Sequence, residues 1–234
     1  MGRRWLGPLL VATTVAAAST AAAGPLYVVK RHPSEVRFRT VYTGDWVHAS
    51  RIAADIVVNA NFYWKNVPLG IIVQEGRLVS RGLRHKPPRP CFVVQQVNGR
   101  QRVRIVEAYE RGGRIYTRAG RLTNVRTLVQ GGPRLVTNGR VTVHRKREGF
   151  RGDVARRTNH VGLGITASGR VLIVAQRNVT LQEFARTFVR LGARQAMNLD
   201  GGHSATLAVN GRVRLGSGRI LAGLAIQRTL KRRG

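Results

Sequence analysis

Apolar residues along the chain alternate with polar ones in short runs, and the runs are separated by tight turns. Five pairs of such runs are predicted to form hairpins. They span residues 71–79, 93–105, 134–143, 164–174 and 205–215, with turns at Glu75-Gly76, Asn98-Gly99, Asn138-Gly139, Ser168-Gly169 and Asn210-Gly211. Asn-Gly between apolar runs is a strong hairpin signal, because both central residues of a type I′ turn need positive φ. The spacing is too irregular for a solenoid or a propeller.

One segment has helical periodicity. Thr180 is a suitable N-cap, Glu183 completes a capping box, and apolar residues follow at positions 181, 184, 185 and 188 before a stop at Gly192. A weaker helix is predicted over residues 50–54, ahead of the apolar run 56–59. The pattern predicts a single α+β domain over residues 24–234, with a mostly antiparallel or mixed β-sheet, repeated hairpins and a few packed helices.

The N-terminus has the order of a secretory signal. Arg3 and Arg4 precede a mostly apolar segment, and the alanines at 21–23 form an A-x-A cleavage pattern. We therefore predict a signal peptide over residues 1–23 and a secreted, periplasmic or cell-envelope location. Retention as a membrane anchor is the alternative, although Gly7-Pro8 weakens the segment as a span, so no stable transmembrane segment is expected after cleavage. The single cysteine, Cys91, is predicted to lie in a buried strand.

The charge of the chain is strongly positive. Lys and Arg number 41 against 10 Asp and Glu, a formal charge of +31, and the signal peptide holds only two of the basic residues. Such a charge attracts nucleic acid, anionic lipid, cell-wall polymer or phosphorylated glycan. Because the arginines are scattered and not in blocks, a solvated surface with a compositional bias toward Arg is an equal alternative. No specific nucleic-acid motif is present, so nonspecific polyanion contact is the partner that charge alone indicates.

The most distinctive segment for function follows the predicted helix. It combines polar residues at a strand end, two glycines and a His-Ser pair: Asn198, Asp200, Gly201, Gly202, His203 and Ser204. Glycines let the backbone approach a ligand closely and expose consecutive N–H groups to an anion. The segment therefore indicates a binding or active site. A plain turn in which Asp200 caps the backbone is the alternative.

Two further loops carry amides or glycines. Asn59 and Asn61 follow an apolar strand and precede aromatic residues 62–64. Amides bond sugar hydroxyls and aromatic faces stack on sugar C–H groups, which indicates carbohydrate binding; a turn followed by core aromatics is the alternative. Gly131 and Gly132 form a second glycine-rich loop at the entry of a hairpin, a weak signal by itself.

A possible anion clamp precedes the strand 161–165. Arg157 can hold a phosphate with two parallel hydrogen bonds, and the neighbouring Thr158 hydroxyl can add a third. In a chain so rich in arginine, this pair alone is weak evidence.

The order of these motifs resembles the phosphodiester glycosidase family. The resemblance runs from Asn59 to Leu224 and rests on Asn59-Ala60-Asn61-Phe62, Pro68-Leu69-Gly70 with Glu75-Gly76, Gly131-Gly132-Pro133, Arg157-Thr158 with Gly164, and Asn198-Leu199-Asp200-Gly201-Gly202. Relatives usually carry Gly where His203 stands and a Gly near Ala60 or Asn61, which leaves the identity of the substrate open.

The resemblance implies hydrolysis of a sugar-1-phosphate diester, with a phosphorylated sugar or anionic glycan as substrate. Under this hypothesis Asp200 activates water or stabilises an oxocarbenium-like centre, and His203 is an added acid–base group. The phosphate is assigned to Arg157, Thr158 and the N–H groups of Gly132, Gly201 and Gly202, and the sugar hydroxyls to Asn59, Asn61 and Asn198. Gly131 and Ser204 complete the substrate-binding set.

No cofactor is required by the sequence. Asp200 with backbone carbonyls would suit a divalent cation such as calcium or magnesium, whereas no His, Cys and carboxylate cluster indicates zinc.

Two functions of other classes stay open. One is a noncatalytic polyanion- or glycan-binding module of the cell envelope, and the other is a helper in exopolysaccharide export that binds glycan without cleaving it. A hydrolase would release free sugar or phosphomonoester, whereas a module held by its charge would bind with steep salt dependence.

Overall fold

The computed structural model describes residues 24–82, 88–150, 154 and 156–229. The predicted signal peptide lies outside these residues. Strands, numbered along the chain, form three sheets and one separate two-stranded hairpin, and every strand pair among the described residues is antiparallel. No helix in this part of the chain combines the length and apolar character needed to cross a membrane.

The six-stranded sheet carries the α-helix. Its strands, in spatial order, are β1 (Leu26–Arg31), β16 (Val171–Val179), β15 (Thr158–Thr166), β17 (Ala193–Asn198), β13 (Arg134–Thr137) and β14 (Arg140–Val141). Helix α1 (Leu181–Arg190) connects β16 to β17 and packs on one face of this sheet through the fully buried rings of Phe184 and Phe188.

The other sheets are built from hairpins and one long strand pair. The seven-stranded sheet has the order β11 (Gly120–Arg121), β10 (Arg114–Thr117), β9 (Arg100–Arg111), β8 (Arg89–Val97), β12 (Val125–Gln130), β6 (Ile71–Gln74) and β7 (Arg77–Arg81). The five-stranded sheet has the order β19 (Arg212–Leu215), β18 (Leu207–Val209), β3 (Ile56–Asn59), β20 (Arg219–Arg228) and β2 (Val36–His48), and the separate hairpin is β4 (Tyr63–Trp64) with β5 (Val67–Pro68).

The main hydrophobic core lies where the three sheets meet. Phe38 from the five-stranded sheet contacts Phe92 from the seven-stranded sheet, with ring centroids 5.4 Å apart, and Leu163 and Met197 enter the same cluster from the six-stranded sheet. Each of these side chains is almost completely removed from water, so the cluster joins the sheets through apolar burial.

All five predicted hairpins are confirmed. At the Asn-Gly turns both central residues have positive φ, for example 47° at Asn98 and 72° at Gly99, as a type I′ turn requires. Cys91 lies in β8 with no exposed surface, as predicted, and burial raises the pKa of its thiol.

The predicted long helix is confirmed with its capping box, in which Thr180 and Glu183 bond to each other's backbone N–H groups. The weaker helix over residues 50–54 is wrong. The segment forms only a 3₁₀ turn, Ala49–Arg51, because the Ala49 N–H donates to the Gly218 carbonyl and Ser50 Oγ pairs with His48 Nδ1. With one α-helix in the described residues, the fold is mainly β, and the expected α+β class with a few packed helices was correct only in part.

Two glycines let the helix approach the sheet closely. A Cβ atom on Gly164 would lie 2.7 Å from Phe188 Cδ1, and one on Gly162 would lie 3.0 Å from Phe184 Cε1. The first contact is closer than carbon atoms tolerate, and the second would force a small shift of the Phe184 ring, so the packing of α1 on β15 depends on the absence of side chains at these positions.

We expect Gly164→Ala to lower the free energy of unfolding by about 1–3 kcal/mol, because the added methyl group forces the Phe188 ring out of its site. Urea denaturation measures the loss. A Phe188→Leu background provides the control: the smaller side chain should reduce the penalty of Gly164→Ala. An equal penalty in both backgrounds would contradict this explanation.

Candidate active site

The segment 198–204 lies at the junction of the three sheets. The Asp200 N–H donates to the Ala60 carbonyl (3.0 Å) just after β3, and the Leu199 N–H donates to the Val161 carbonyl of β15 (2.9 Å). The Gly132 N–H, just after β12, donates to the Asn198 carbonyl (2.7 Å). Each of the three sheets therefore fixes this segment, called the Asp200 loop below, through backbone hydrogen bonds.

Asn198 binds neighbouring protein groups with both ends of its amide. Its side chain is 1% exposed; Oδ1 is 3.1 Å from His160 Nδ1, and Nδ2 donates to the Gly132 carbonyl (3.1 Å). A buried amide with both ends bonded contributes to the position of the loop and has little capacity left for a sugar hydroxyl.

Asn59 and Asn61 differ in whether both ends of the side-chain amide are bonded within the protein. Asn59 Nδ2 donates to the Asp200 carbonyl (2.7 Å) and Oδ1 accepts from the Thr206 N–H (2.9 Å), so this amide connects Asp200 to the segment that follows the loop. Asn61 Nδ2 donates to the Ile71 carbonyl (3.2 Å), while its buried Oδ1 has no partner among the described residues. Of the three amides in the expected sugar-binding set, Asn61 alone keeps a free acceptor.

Asp200 is mostly buried, and few groups stabilise the charge of its carboxyl. The Ser204 hydroxyl and the Gly201 N–H donate to it, and the Tyr63 hydroxyl lies 3.3 Å from Ser204 Oγ. Burial outweighs these two hydrogen bonds and raises the pKa of Asp200 to about 7. Near neutral pH the side chain therefore exists in both protonation states.

His160 is part of the site and has no role in the sequence-based assignment. Its ring is 1% exposed, stacks on Phe184 with centroids 5.4 Å apart, and would lie 3.3 Å from a Cβ atom on Gly201. Burial lowers its pKa to about 4, so the imidazole is neutral at physiological pH. Since Asn198 Oδ1 can only accept, Nδ1 carries the proton in this pair.

Glu148 is a second carboxyl that the sequence did not indicate. Both of its oxygens are 3.0 Å from the Arg134 N–H, and Oε2 would lie 3.4 Å from a Cβ atom on Gly132. Burial raises the pKa of Glu148 to about 7. It follows a short strand within an irregular turn, and no local spacing relates it to the glycine loop.

The glycine loop 131–132 is bonded within the protein. The Gly131 N–H donates to the Pro90 carbonyl (3.0 Å), and the Gly132 N–H is used by Asn198 as described. A Cβ atom on Gly131 would lie 2.6 Å from the Asn198 carbonyl oxygen. The Gly132 N–H, which was assigned to the phosphate in the sequence analysis, donates to the Asn198 carbonyl in this structure. Gly131 packs closely against the end of β17, whereas a Cβ atom on Gly132 would lie 2.7 Å from the Phe150 ring.

Arg157 is bonded beside the start of α1, whereas Thr158 lies beside the Asp200 loop. Arg157 donates from Nη1 to the Asn178 carbonyl (2.8 Å) and from Nη2 to Glu183 (2.6 Å), which leaves three of its five N–H donors. The Glu183 pKa falls to about 2, first because of the Thr180 N–H and then because of Arg157. Thr158 Oγ1 would lie 3.7 Å from a Cβ atom on Gly202, so this hydroxyl borders the Asp200 loop.

The remaining loop residues form the 3₁₀ turn Gly202–Ser204. His203 is exposed on this turn. Among the described residues, the Gly202 N–H donates to no protein group. In the same part of the chain, no group of three or more His, Cys, Asp or Glu side chains is arranged to hold a metal ion.

A large cleft of about 1800 Å³ lies away from the Asp200 loop, and none of residues 198–204 lines it. Its charged lining consists of six arginines and one carboxylate: Arg37, Arg100, Arg102, Arg114, Arg121, Arg126 and Glu75. The two carboxyl groups whose pKa is raised to about 7, Asp200 and Glu148, do not line this cleft.

We expect Asp200→Asn to stabilise the protein increasingly as pH rises. An unfolded Asp has a pKa near 3.9, so the folded wild type loses stability between about pH 4 and pH 7 as the buried carboxyl ionises, and Asn does not. The difference in the free energy of unfolding should grow by about 4 kcal/mol over that interval, since each unit between the folded and unfolded pKa of Asp200 corresponds to about 1.4 kcal/mol. Urea denaturation at pH 4.5 and 8 measures it, with exposed Asp45→Asn as control; a difference independent of pH would refute the burial of Asp200.

Three solved structures share the fold. The first is a hypothetical protein from Synechocystis, with 16% identity and a TM-score of 0.66; the match covers 87% of this chain and 59% of that chain. The second is a candidate exported protein from Burkholderia pseudomallei, with 16% identity and a TM-score of 0.68; the match covers 86% of this chain and 73% of that chain. The third is the zebrafish N-acetylglucosamine-1-phosphodiester alpha-N-acetylglucosaminidase catalytic domain, auto-inhibited by its pro-peptide (14%, 0.63, 90% and 85%). The chain thus spans about three fifths of the Synechocystis protein.

At these identities the structures establish a shared architecture and no more. No curated protein matches the chain. The phosphodiester glycosidase family matches residues 53–225, well over half of the sequence, and the chain therefore belongs to that family.

Proposed function

We propose that the protein is an exported hydrolase that cleaves a sugar-1-phosphate diester at the Asp200 loop. Membership of the phosphodiester glycosidase family supports this reaction class. The observation that carries the proposal is the state of Asp200. Its loop is held by backbone hydrogen bonds from all three sheets, and burial raises the pKa of its carboxyl to about 7. A carboxyl whose pKa lies near the working pH is suited to exchange protons during turnover.

Asp200 has two chemical roles within this proposal. Ionised, it takes a proton from the water that attacks the substrate, or it stabilises the positive charge that develops at an oxocarbenium-like sugar carbon. The same hydrogen bonds from Ser204 and Gly201 that hold the carboxyl also orient its remaining lone pairs. The active fraction of the enzyme therefore increases as pH rises through the pKa of Asp200.

A single ionised carboxyl suffices because of the leaving group. Most glycosidases use two carboxyl groups, one of which protonates a poor alkoxide leaving group. A phosphate monoester has a second pKa of about 6, so it departs without full protonation. The Glu148 carboxyl accepts from the Arg134 N–H and lies beside Gly132. We therefore propose that Glu148 holds the glycine loop in place and takes no part in acid catalysis.

The groups with free bonding capacity define the substrate contacts. Thr158 Oγ1, the Gly202 N–H and the remaining donors of Arg157 are assigned to the phosphate. Asn61 Oδ1 is unpartnered but buried, so it is assigned to a sugar hydroxyl only if the side chain turns to expose it. Asn59 and Asn198 position Asp200. His203 extends outward as an acid–base group at the rim, and a divalent cation bound by Asp200 with backbone carbonyls stays a proposal.

The decisive assay uses a UDP-linked or aryl-linked sugar phosphodiester. Asp200→Asn should lower kcat about 100-fold or more, because proton transfer by a positioned carboxyl typically contributes at least that factor. The wild-type kcat should rise with pH and level off above about pH 7, as Asp200 ionises. Exposed Asp45→Asn should keep wild-type activity. A folded Asp200→Asn protein with unchanged kcat would remove Asp200 from the mechanism.

A second candidate, a noncatalytic polyanion-binding module, is favoured by the arginine-lined cleft. There Arg37 and Arg126 share one acidic partner, Glu75, at 3.4 and 3.3 Å, and four other guanidinium groups line the same space. Binding through such a surface weakens steeply with salt, since counterion release drives it. Release of free sugar or phosphomonoester from a diester supports the hydrolase; salt-sensitive binding without release supports the module.

A further inference from the structure

A smaller hollow of about 410 Å³ opens at the end of β2, beside the five-stranded sheet. It is lined by Trp46, Val47, His48, Ser50, Arg51 and Arg219. Its volume falls within the usual range for small-molecule sites. The lining combines an indole, two guanidinium groups, an imidazole and a hydroxyl, and contains no carboxylate.

The indole of Trp46 is fixed in place from two sides. Its Nε1–H donates to Asn66 Oδ1 (2.9 Å), and the Tyr63 ring meets it edge-on with centroids 4.9 Å apart. The Arg219 guanidinium carbon lies 5.7 Å from the Trp46 ring centroid. A fixed aromatic face of this kind stacks on the C–H face of a sugar ring without a large loss of side-chain freedom.

Two cations beside this face suit an anion. Among the residues that the structure describes, neither Arg51 nor Arg219 forms an ion pair with a carboxylate. His48 Nδ1 and Ser50 Oγ, 2.6 Å apart, supply further polar groups in the same lining. Guanidinium groups without an acidic partner bind phosphate through paired, charge-assisted hydrogen bonds.

The hollow is connected to the Asp200 loop by a short series of contacts. Tyr63, which packs on Trp46, places its hydroxyl 3.3 Å from Ser204 Oγ, and the Ser204 hydroxyl donates to Asp200. Only two side chains thus separate the indole from the carboxyl. A ligand on the indole would therefore lie two side chains away from a substrate that is held at Asp200.

We propose that this hollow binds a phosphorylated sugar, with the sugar ring on Trp46 and the phosphate on Arg51 and Arg219. Its role as a subsite, which holds a second phosphorylated unit of a glycan substrate while the diester lies at Asp200, rests on the proposed function. The binding itself does not, because none of the lining residues takes part in the proposed hydrolysis.

The indole N–H resonance of Trp46 in a ¹⁵N-labelled protein gives a direct test, with Trp46→Phe to identify the signal. Glucose 6-phosphate should shift this resonance saturably at millimolar concentration, and glucose or inorganic phosphate alone should bind more weakly. Arg51→Ala and Arg219→Ala should each raise Kd for glucose 6-phosphate about tenfold, the loss expected for one charged hydrogen bond. Arg140→Ala, an exposed arginine on β14, is the matched control and should leave Kd unchanged.

Three results would overturn the inference. If Arg140→Ala weakens binding as much as Arg219→Ala does, glucose 6-phosphate is held by the bulk charge of the protein and not by the hollow. Equal binding of inorganic phosphate would exclude the sugar contact, and absence of a saturable shift would exclude the site. If Asp200→Asn keeps full hydrolysis while glucose 6-phosphate still binds, the proposed function fails and the binding site stands.

Discussion

Two buried amides hold the Asp200 loop against the rest of the protein. Asn59 bonds the Asp200 carbonyl and the Thr206 N–H, while Asn198 bonds His160 and the Gly132 carbonyl. Loss of either amide would leave buried backbone groups without partners, which is more costly than the loss of the bonds alone. Because these groups belong to all three sheets, the position of one carboxyl depends on the packing of the whole molecule.

That position makes Asp200 chemically useful and energetically unfavourable. Burial raises its pKa to about 7, and the two hydrogen bonds from Ser204 and Gly201 reverse only part of this effect. A protein selected for stability alone would place an uncharged side chain at such a site. Carboxyl groups with strongly perturbed pKa values concentrate at functional sites for this reason.

Local chemistry explains what could be predicted from the sequence. The Asn98-Gly99 turn and the Thr180–Glu183 capping box were predictable because a few adjacent residues determine them. The Asp200 loop was found through its glycines and the order of its companion motifs. Contacts between residues far apart in the sequence could not be predicted from local patterns. His160 bonds a residue 38 positions away, and Glu148 bonds the backbone at Arg134. The residue type of Asn59 does not show that its amide connects Asp200 to Thr206.

The most direct test is a carboxyl ¹³C NMR titration of Asp200, assigned with Asp200→Asn. We expect a midpoint near pH 7, and a clearly lower midpoint after Asn59→Ala, because the released loop exposes the carboxyl to water. A wild-type midpoint near the usual Asp value of about 3.9 would show that Asp200 is an ordinary exposed carboxylate and would refute its role as a buried group that exchanges protons near neutral pH.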